Sequence, residues 1–212
     1  MIEAHLYLVS GARLAAGDLA DVVPDLVAAG VDLIQLREKD MEVKDLLRVG
    51  EPVAAACRTA GIPLIVNDRP DVALALSADG VHVGQSDLPV EVAREVIGTG
   101  IVGLSTHAPS EIDRALAERG PDYIAVGPVH ATPTKPGRPA VGLELLRHAA
   151  RSERIPWFAI GGIDEATLPA VMKAGARRIV VVRAITDARD PAAAAARLRA
   201  QLGAPESHRV RP

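Results

Sequence analysis

The sequence predicts an α/β protein built as a single (β/α)8 barrel, the TIM barrel, on three observations. Short β-branched runs alternate with Ala- and Leu-rich segments, about eight of each, along the 212 residues. Such alternation implies an all-parallel sheet, which either closes into a barrel or stays open. No Gly-x-Gly-x-x-Gly turn follows the first run, so an open dinucleotide-binding sheet is the less favoured arrangement.

The predicted elements follow one another in regular order. We expect strands at 6–9, 33–37, 64–67, 80–84, 101–107, 123–129, 157–161 and 178–185, and helices at 19–29, 43–60, 70–77, 90–97, 110–119, 143–151, 165–174 and 191–202. Helix start and stop signals support these bounds, since Ser110 and Asp190 are candidate N-caps and Gly61, Gly120 and Gly175 fall where helices should end. The barrel is predicted over 1–202, followed by a flexible tail at 203–212.

Composition excludes several classes of protein. Hydrophobic residues at 49% and charged residues at 24% rule out a disordered chain, and no apolar run is long enough to span a membrane. A net charge of −3 with mixed acids and bases, together with 2% aromatic residues, argues against nucleic-acid binding. The lone Cys57 and the absence of a signal peptide predict a soluble, cytoplasmic protein of a reducing compartment. Whether it forms a homo-oligomer stays open.

Polar side chains lie on the second predicted strand, although a barrel buries its strands on both faces. Gln35, Arg37 and Lys39 share one parity, while Ile34 and Leu36 share the other and should pack on the helices. The three polar groups should therefore rise from the interior to the C-terminal mouth of the barrel, where active sites form. An ion pair with a neighbouring acid is the alternative interpretation, but it would not require three polar residues on one face.

Two carboxylates follow neighbouring predicted strands. Asp68 comes after the third strand and Asp87 after the fourth. Hard oxygen ligands of this kind suit Mg²⁺, which retains waters and binds one or two carboxylates together with substrate phosphates. Each carboxylate could instead cap the helix that begins near Pro70 or Pro89. Because the cationic side chains of the second strand lie opposite, a site for a metal and a phosphate is the better interpretation.

The later strands predict a second phosphate region. Ser105 shares the inward parity of the fifth strand with Gly103 and His107, whereas His82 and His107 are more typical of structural residues. The loop 130–140 after the sixth strand is rich in Pro, Thr, Gly and Lys and is long enough to be functional, with a surface turn as the alternative. Gly161-Gly162 after the seventh strand lets the backbone approach a phosphate closely.

Taken together, these stretches resemble the thiamine phosphate synthase family over almost the whole chain, about 6–202. The most specific pieces are Gln-Leu-Arg-Glu-Lys at 35–39, Val-Asn-Asp at 66–68, His-Val-Gly-Gln-Ser-Asp at 82–87, Thr-Pro-Thr-Lys at 132–135 and Ile-Gly-Gly-Ile at 160–163. The resemblance implies a transferase that condenses 4-amino-2-methyl-5-(hydroxymethyl)pyrimidine diphosphate with a thiazole monophosphate or its carboxylated tautomer. The products would be thiamine phosphate and pyrophosphate.

The resemblance also implies roles for individual residues. Asp68 and Asp87 would hold Mg²⁺ on the diphosphate. The catalytic contacts would come from Arg37, Lys39, Ser105 and Lys135. The residues expected to contact the pyrimidine diphosphate are Gln35, Arg37, Lys39, Asn67, Ser105 and Lys135. Those expected to hold the thiazole phosphate are Thr132, Thr134, Gly162, Val182 and Arg183. Leu36, Glu38 and Pro133 are further expected substrate contacts. The family commonly has Ser at the position of Arg183, so this guanidinium either adds an ion pair to the thiazole phosphate or turns outward.

The chemistry expected of these residues is charge stabilisation. Cys57 lies in a predicted helix, and no Ser–His–acid set is evident, so an activated nucleophile is not expected. Dissociative loss of diphosphate followed by attack of the thiazole nitrogen suits the cationic rim. One alternative is a thiazole tautomerase of similar fold, which could use His107 but would not need Asp68, Asp87 and Lys135 together. A non-catalytic thiazole-phosphate-binding protein would need a second domain or a basic surface, and neither is visible.

Overall fold

Eight parallel strands close into a barrel in the computed structural model, which describes residues 4–117, 120–131, 139–152 and 154–203. Each strand pairs with its neighbours in the chain, and the first pairs with the last, with Leu8 opposite both Ile34 and Val181. The predicted (β/α)8 barrel is confirmed. The strands are β1 (Leu6–Ser10), β2 (Leu33–Leu36), β3 (Leu64–Asn67), β4 (Gly80–Val83), β5 (Ile101–Thr106), β6 (Tyr123–Val126), β7 (Trp157–Ile160) and β8 (Ile179–Val181).

Helices follow the strands and surround the barrel. They are α1 (Leu19–Ala28), α2 (Val43–Ala60), α3 (Pro70–Ala75), α4 (Val90–Ile97), α5 (Pro109–Ala117), α6 (Gly142–Ala149), α7 (Leu168–Lys173), α8 (Arg183–Thr186) and α9 (Pro191–Leu202). A small antiparallel hairpin of Arg13–Leu14 and Gly17–Asp18 precedes α1. Among the described residues no helix is both long enough and apolar enough to cross a membrane.

Several predicted helix ends are confirmed by their geometry, and one is wrong. Asp190 accepts a hydrogen bond from the backbone N–H of Ala193 at 2.9 Å and caps α9, and Gly61 ends α2 with φ 73°. Ser110 is not an N-cap, because it lies inside α5. The carboxylate of Glu111 instead reaches back to the backbone N–H of His107 at 2.6 Å, so an acid within the first turn satisfies a donor before the helix.

The eighth predicted strand is also too long. The strand ends at Val181, and the residues from Arg183 form α8 rather than a continuation of β8. Val182 has φ −126° and ψ −94°, which departs from strand geometry and turns the chain into the helix. The tail predicted at 203–212 lies outside the described residues except for Gly203, and it stays a prediction.

The core has two layers, which the period-2 pattern of the strands separates. Inside the barrel, Tyr7, Tyr123 and Phe158 pack edge to face with ring centroids 5.4–5.9 Å apart. Between the sheet and the helices lie the residues of opposite parity, including Ile34 and Leu36. The predicted facing of the second strand is therefore confirmed, and Gln35, on the inward parity, is 3% exposed.

Candidate active site at the mouth of the barrel

An acidic pair and a lysine meet where β2, β3 and β4 end. The Nζ atom of Lys39 lies 3.5 Å from Oδ2 of Asp68, and the Asp68 carboxyl is close enough to Asp87 for the charge of Asp87 to raise its pKa. Asp68 adopts φ 61°, a left-handed conformation that Asp tolerates better than most residues, while its backbone N–H donates to the carbonyl of His82 on β4 at 2.8 Å. The sequence prediction that these charges share one rim is confirmed in geometry.

The position of Asp87 depends on a tight turn after β4. Its Oδ2 accepts a hydrogen bond from the backbone N–H of Gly84 at 2.8 Å. A Cβ atom at position 84 would lie 2.7 Å from that same oxygen, so glycine leaves the room that the carboxylate occupies. The helices that follow begin with Arg69 and Pro89 as caps and have no side-chain cap bond. The alternative that Asp68 and Asp87 are helix caps is therefore wrong.

Burial and like charge perturb this acidic pair. Burial raises the pKa of Asp68, the negative charge of Asp87 raises it further, and the ammonium of Lys39 opposes both. Two carboxylates held together in this way lower their electrostatic cost when a cation binds between them. Among the described residues no third His, Cys, Asp or Glu joins them to form a protein-only metal cage. A pair of oxygen donors that leaves the other positions to water and phosphate fits Mg²⁺.

The other predicted residues at and just after the end of β2 have different surroundings. Arg37 is half-buried, its backbone N–H donates to the carbonyl of Ser10 at 2.8 Å, and no acid of the described chain lies within 4 Å of its guanidinium. The Oε1 atom of Glu38 accepts from the backbone N–H of Ala12 at 2.7 Å, so this carboxylate ties β2 to the segment after β1. The side chain of Leu36 lies in the layer under the helices, which leaves only its backbone for a ligand at the mouth.

A chain of buried polar side chains joins two of the predicted pyrimidine contacts inside the barrel. It runs from Gln35 through Tyr7, Tyr123 and His82 to Ser105, and we call it the polar chain. Sequence reasoning treated His82 as structural and missed both tyrosines. The sequence could have indicated both tyrosines, since a Tyr that faces the interior of an apolar barrel needs a hydrogen-bond partner for its hydroxyl.

Other contacts hold the end of β5 in place. The Nε2 atom of Gln85 donates to the backbone carbonyl of Ser105 at 2.7 Å, and the guanidinium of Arg114 donates to Oε1 of Gln85 at 2.7 Å. His107 contacts the carbonyl of Gly127 through Nδ1. The sequence did not indicate Gln85 or Arg114, because their partners come from other strand–helix units.

The predicted thiazole-phosphate region lies across the mouth, where β7 and β8 end. Val180 pairs with Ile160, so Gly162 and Val182 emerge side by side at this rim. Gly161 has φ 108°, and a Cβ atom there would lie 2.5 Å from the Cα atom of Pro128. Only glycine fits this close approach between two loops. Gly162 is equally restricted. It has φ 62°, and a Cβ atom there would lie 2.7 Å from the Cβ atom of His130.

The other predicted contacts lie on both sides of the mouth. The side chain of Arg183 is exposed at the start of α8. Asn67 is half-buried at the end of β3, directly before the acidic pair. The predicted contacts of the loop after β6 lie outside the described residues; these are Thr132, Pro133, Thr134 and Lys135.

Cys57 is no candidate for nucleophilic chemistry. It is buried in α2, and burial raises the pKa of its thiol to about 12. The thiol is therefore protonated at neutral pH and lacks the thiolate character that a nucleophile requires. This agrees with the expectation from the sequence that the chain stabilises charge rather than forming a covalent intermediate.

Comparisons with known proteins agree with this geometry. A family model described as thiamine monophosphate synthase matches residues 6–185. The chain is 50% identical over 207 residues to the thiamine-phosphate synthase of Acidothermus cellulolyticus, covering 96% of this chain and 97% of that one. It is 53% identical over 209 residues to the enzyme of that name from Saccharopolyspora erythraea, with coverages of 95% and 94%. The solved thiamine phosphate pyrophosphorylase of Pyrococcus furiosus superposes with a TM-score of 0.84 at 33% identity, covering 95% of this chain and 96% of that chain.

Proposed function

Since the chain belongs to the thiamine monophosphate synthase family, we propose that it couples its two substrates by a metal-assisted, dissociative route at the mouth of the barrel. The reaction condenses 4-amino-2-methyl-5-(hydroxymethyl)pyrimidine diphosphate with 4-methyl-5-(2-phosphoethyl)thiazole or its carboxylated tautomer. The products are thiamine phosphate and pyrophosphate.

The observation that carries the proposal is the meeting of Asp68, Asp87 and Lys39 at one rim. Asp68 and Asp87 are the residues that would hold Mg²⁺. When bound there, Mg²⁺ supplies positive charge that neutralises the oxygens of the leaving diphosphate. Lys39 neutralises Asp68 in the absence of the ion, and its ammonium is well placed to turn to a diphosphate oxygen once the carboxylates are shared with a cation.

The other cationic groups complete the leaving-group site. Arg37 follows β2 at the same rim, and its guanidinium is free of carboxylates among the described residues. It can therefore offer a bidentate contact to phosphate oxygens. Lys135 is proposed to add a third cation from the loop after β6. Together these groups would stabilise charge that develops only as the C–O bond to the diphosphate breaks.

The second substrate is proposed to bind on the opposite side of the mouth. Backbone N–H groups at Gly162 and at the turn of Val182 and Arg183 would hold the thiazole phosphate, with Thr132 and Thr134 adding contacts from the loop after β6. Holding that phosphate fixes the thiazole nitrogen in line with the pyrimidine methylene. Orientation of two bound reactants in this way contributes on the order of several kcal/mol to catalysis.

The experiment is incubation of the protein with both substrates, with and without Mg²⁺, followed by measurement of thiamine phosphate and released pyrophosphate. We expect both products in equal amounts with Mg²⁺, loss of both in chelator, and recovery when Mg²⁺ is added in excess. Full coupling activity in chelator would refute the role of the acidic pair. The tautomerase alternative is not favoured, since the named relatives at 50–53% identity are thiamine-phosphate synthases.

A further inference from the structure

The polar chain crosses the interior of the barrel from β2 to β5 through four consecutive hydrogen bonds. The Nε2 atom of Gln35 donates to the hydroxyl of Tyr7 at 2.5 Å, and that hydroxyl lies 2.9 Å from the hydroxyl of Tyr123. The Tyr123 hydroxyl lies 3.0 Å from Nδ1 of His82, and Nε2 of His82 lies 2.9 Å from Oγ of Ser105. All five residues are at least 94% buried, since their exposed fractions are 6% or less.

The direction of each bond follows from counting protons. Burial raises the pKa of both tyrosines, so each phenol is neutral and has one proton. The amide nitrogen of Gln35 can only donate, so the Tyr7 oxygen accepts from it. Within the described residues the other hydrogen-bond partner of Tyr7 is Tyr123, so Tyr7 donates to Tyr123 and Tyr123 donates to Nδ1 of His82.

The last bond decides the state of the serine. A ring nitrogen that accepts carries no proton, so the ring proton of His82 lies on Nε2. That N–H donates to Oγ of Ser105. The hydroxyl of Ser105 therefore accepts inside the barrel, and its own proton is left to donate to a ligand. At the other end of the chain, Gln35 uses its amide nitrogen on Tyr7, which leaves its carbonyl oxygen to accept.

We infer that Tyr7, Tyr123 and His82 are positioning residues, which fix Ser105 as a donor and Gln35 as an acceptor for the aminopyrimidine ring. A 4-aminopyrimidine edge offers an amino group that donates and a ring nitrogen that accepts, which is the complement of this pair. The inference rests on the proposed function for its substrate. It adds a means by which the barrel interior selects the amino form over a 4-oxo ring, whose lactam edge has donor and acceptor exchanged.

Gly103 is the structural condition for the polar chain. This residue shares the inward parity of Ser105 on β5, and a Cβ atom there would lie 2.4 Å from the Tyr123 hydroxyl and 2.5 Å from Nδ1 of His82. Glycine at this position therefore leaves room for that hydrogen bond. Gly103→Ala is therefore a second way to break the polar chain, since it displaces the Tyr123 hydroxyl or the His82 ring without replacing any polar side chain.

The test compares Tyr123→Phe with a control that alters packing alone. Phe158 lies 5.4 Å, centroid to centroid, from both tyrosine rings and has no polar atom, so Phe158→Leu perturbs the inner layer without removing a hydrogen bond. First, ¹⁵N NMR of His82 in the substrate-free protein reports its tautomer. We expect the proton on Nε2 in the wild type and in Phe158→Leu, and a mixed tautomer in Tyr123→Phe and Gly103→Ala.

Second, kcat/KM is measured for the 4-amino substrate and for its 4-oxo analogue. The lower intrinsic reactivity of the analogue is the same in every variant. A change in the ratio of the two kcat/KM values therefore reports a change in recognition of the ring. We expect Tyr123→Phe to reduce the preference for the amino form by about 10-fold or more, and Phe158→Leu to leave it unchanged. In a Ser105→Ala background, Tyr123→Phe should have a smaller effect on the preference than in the wild type, because the part that acts through that hydroxyl is gone and only the part that acts through Gln35 remains.

Either a wild-type His82 with its proton on Nδ1 or an equal loss of preference in Phe158→Leu would overturn the inference. Additive effects of Tyr123→Phe and Ser105→Ala would do the same. The tautomer of the wild type needs no variant to fold and no turnover. A wild type that carries Nε2–H but forms no thiamine phosphate would therefore contradict the proposed function and leave the hydrogen-bond direction standing.

Discussion

Replacement of Asp87 by Asn should separate the electrostatic cost of the acidic pair from its catalytic use. The amide oxygen of Asn can still accept from the backbone N–H of Gly84, which the carboxylate accepts at 2.8 Å, so the turn after β4 is preserved. What disappears is one negative charge beside Asp68. We expect the variant to lose coupling activity and, in chelator, to be more stable than the wild type.

The sign follows from the pKa of Asp68, which burial and the charge of Asp87 raise in the folded state. A raised pKa means that the folded protein favours the protonated carboxyl. The metal-free wild type therefore loses stability as the pH rises from about 4, the usual value for Asp in an unfolded chain, through the raised value. Removing the charge of Asp87 takes away one cause of the raised pKa, so the variant should lose less stability than the wild type over this rise in pH.

The magnitude can be bounded from the contacts. Two unit charges about 4 Å apart repel by about 4 kcal/mol at an effective dielectric constant of about 20. The ammonium of Lys39, 3.5 Å from Asp68, and solvent at the rim offset most of this. A net gain of about 1 kcal/mol corresponds to a rise of about 2–4 °C in Tm for a domain of this size. Loss of a proposed metal ligand should lower kcat/KM by about 10²-fold or more, since several kcal/mol of charge stabilisation would depend on it.

The assay is a thermal scan at pH 7 in chelator together with pyrophosphate release over a range of Mg²⁺ concentrations. Asp71→Asn is the matched control, because Asp71 pairs with Arg69 at the surface near the same rim and should raise neither Tm nor the Mg²⁺ requirement. A variant Asp87→Asn that melts below the wild type in chelator, or that couples at the normal rate, would refute the reasoning.

Three further outcomes are expected. Lys135→Ala should lower turnover by orders of magnitude with an unchanged Tm, and near-normal turnover would remove this lysine from the mechanism. Gly161→Ala should lower Tm more than Gly98→Ala, because both have positive φ but only position 161 meets backbone atoms, at 2.5 Å; equal Tm values would contradict the close approach. Arg183→Ser should weaken binding of the thiazole phosphate if the guanidinium pairs with it, and an unchanged affinity in a titration would show that this side chain turns outward.

The facing of side chains was predictable from the sequence because it depends on local backbone geometry. The period of a strand is 2, so the inward parity of Gln35 and Ser105 and the outward parity of Ile34 could be read directly and are confirmed. Strand direction placed Lys39, Asp68 and Asp87 at one rim for the same reason, since parallel strands carry their C-terminal ends to one side.

Two predicted element bounds were wrong because the local backbone path or a nearby hydrogen bond outweighed the preference of the residue type. Five of the eight residues in 178–185 are β-branched, yet the backbone turns at Val182 and α8 follows. Ser110 is a good cap residue by type, but the acid at 111 satisfies the donor of His107. Both outcomes depend on how the chain leaves the barrel rim, which the residue type alone does not specify.

The amino-acid order by itself thus determined the number of strand–helix units, the face on which each strand residue lies and the edge at which the charged groups collect. Only the closed barrel decided which groups touch. Tyr7 and Tyr123 are separated by 116 positions in the chain but share a hydrogen bond, and the pKa of Asp68, which burial raises, is raised further by Asp87 from the next unit. Periodicity is a property of each segment, whereas these contacts arise from ring closure and the strand register, which bring distant segments within hydrogen-bond distance.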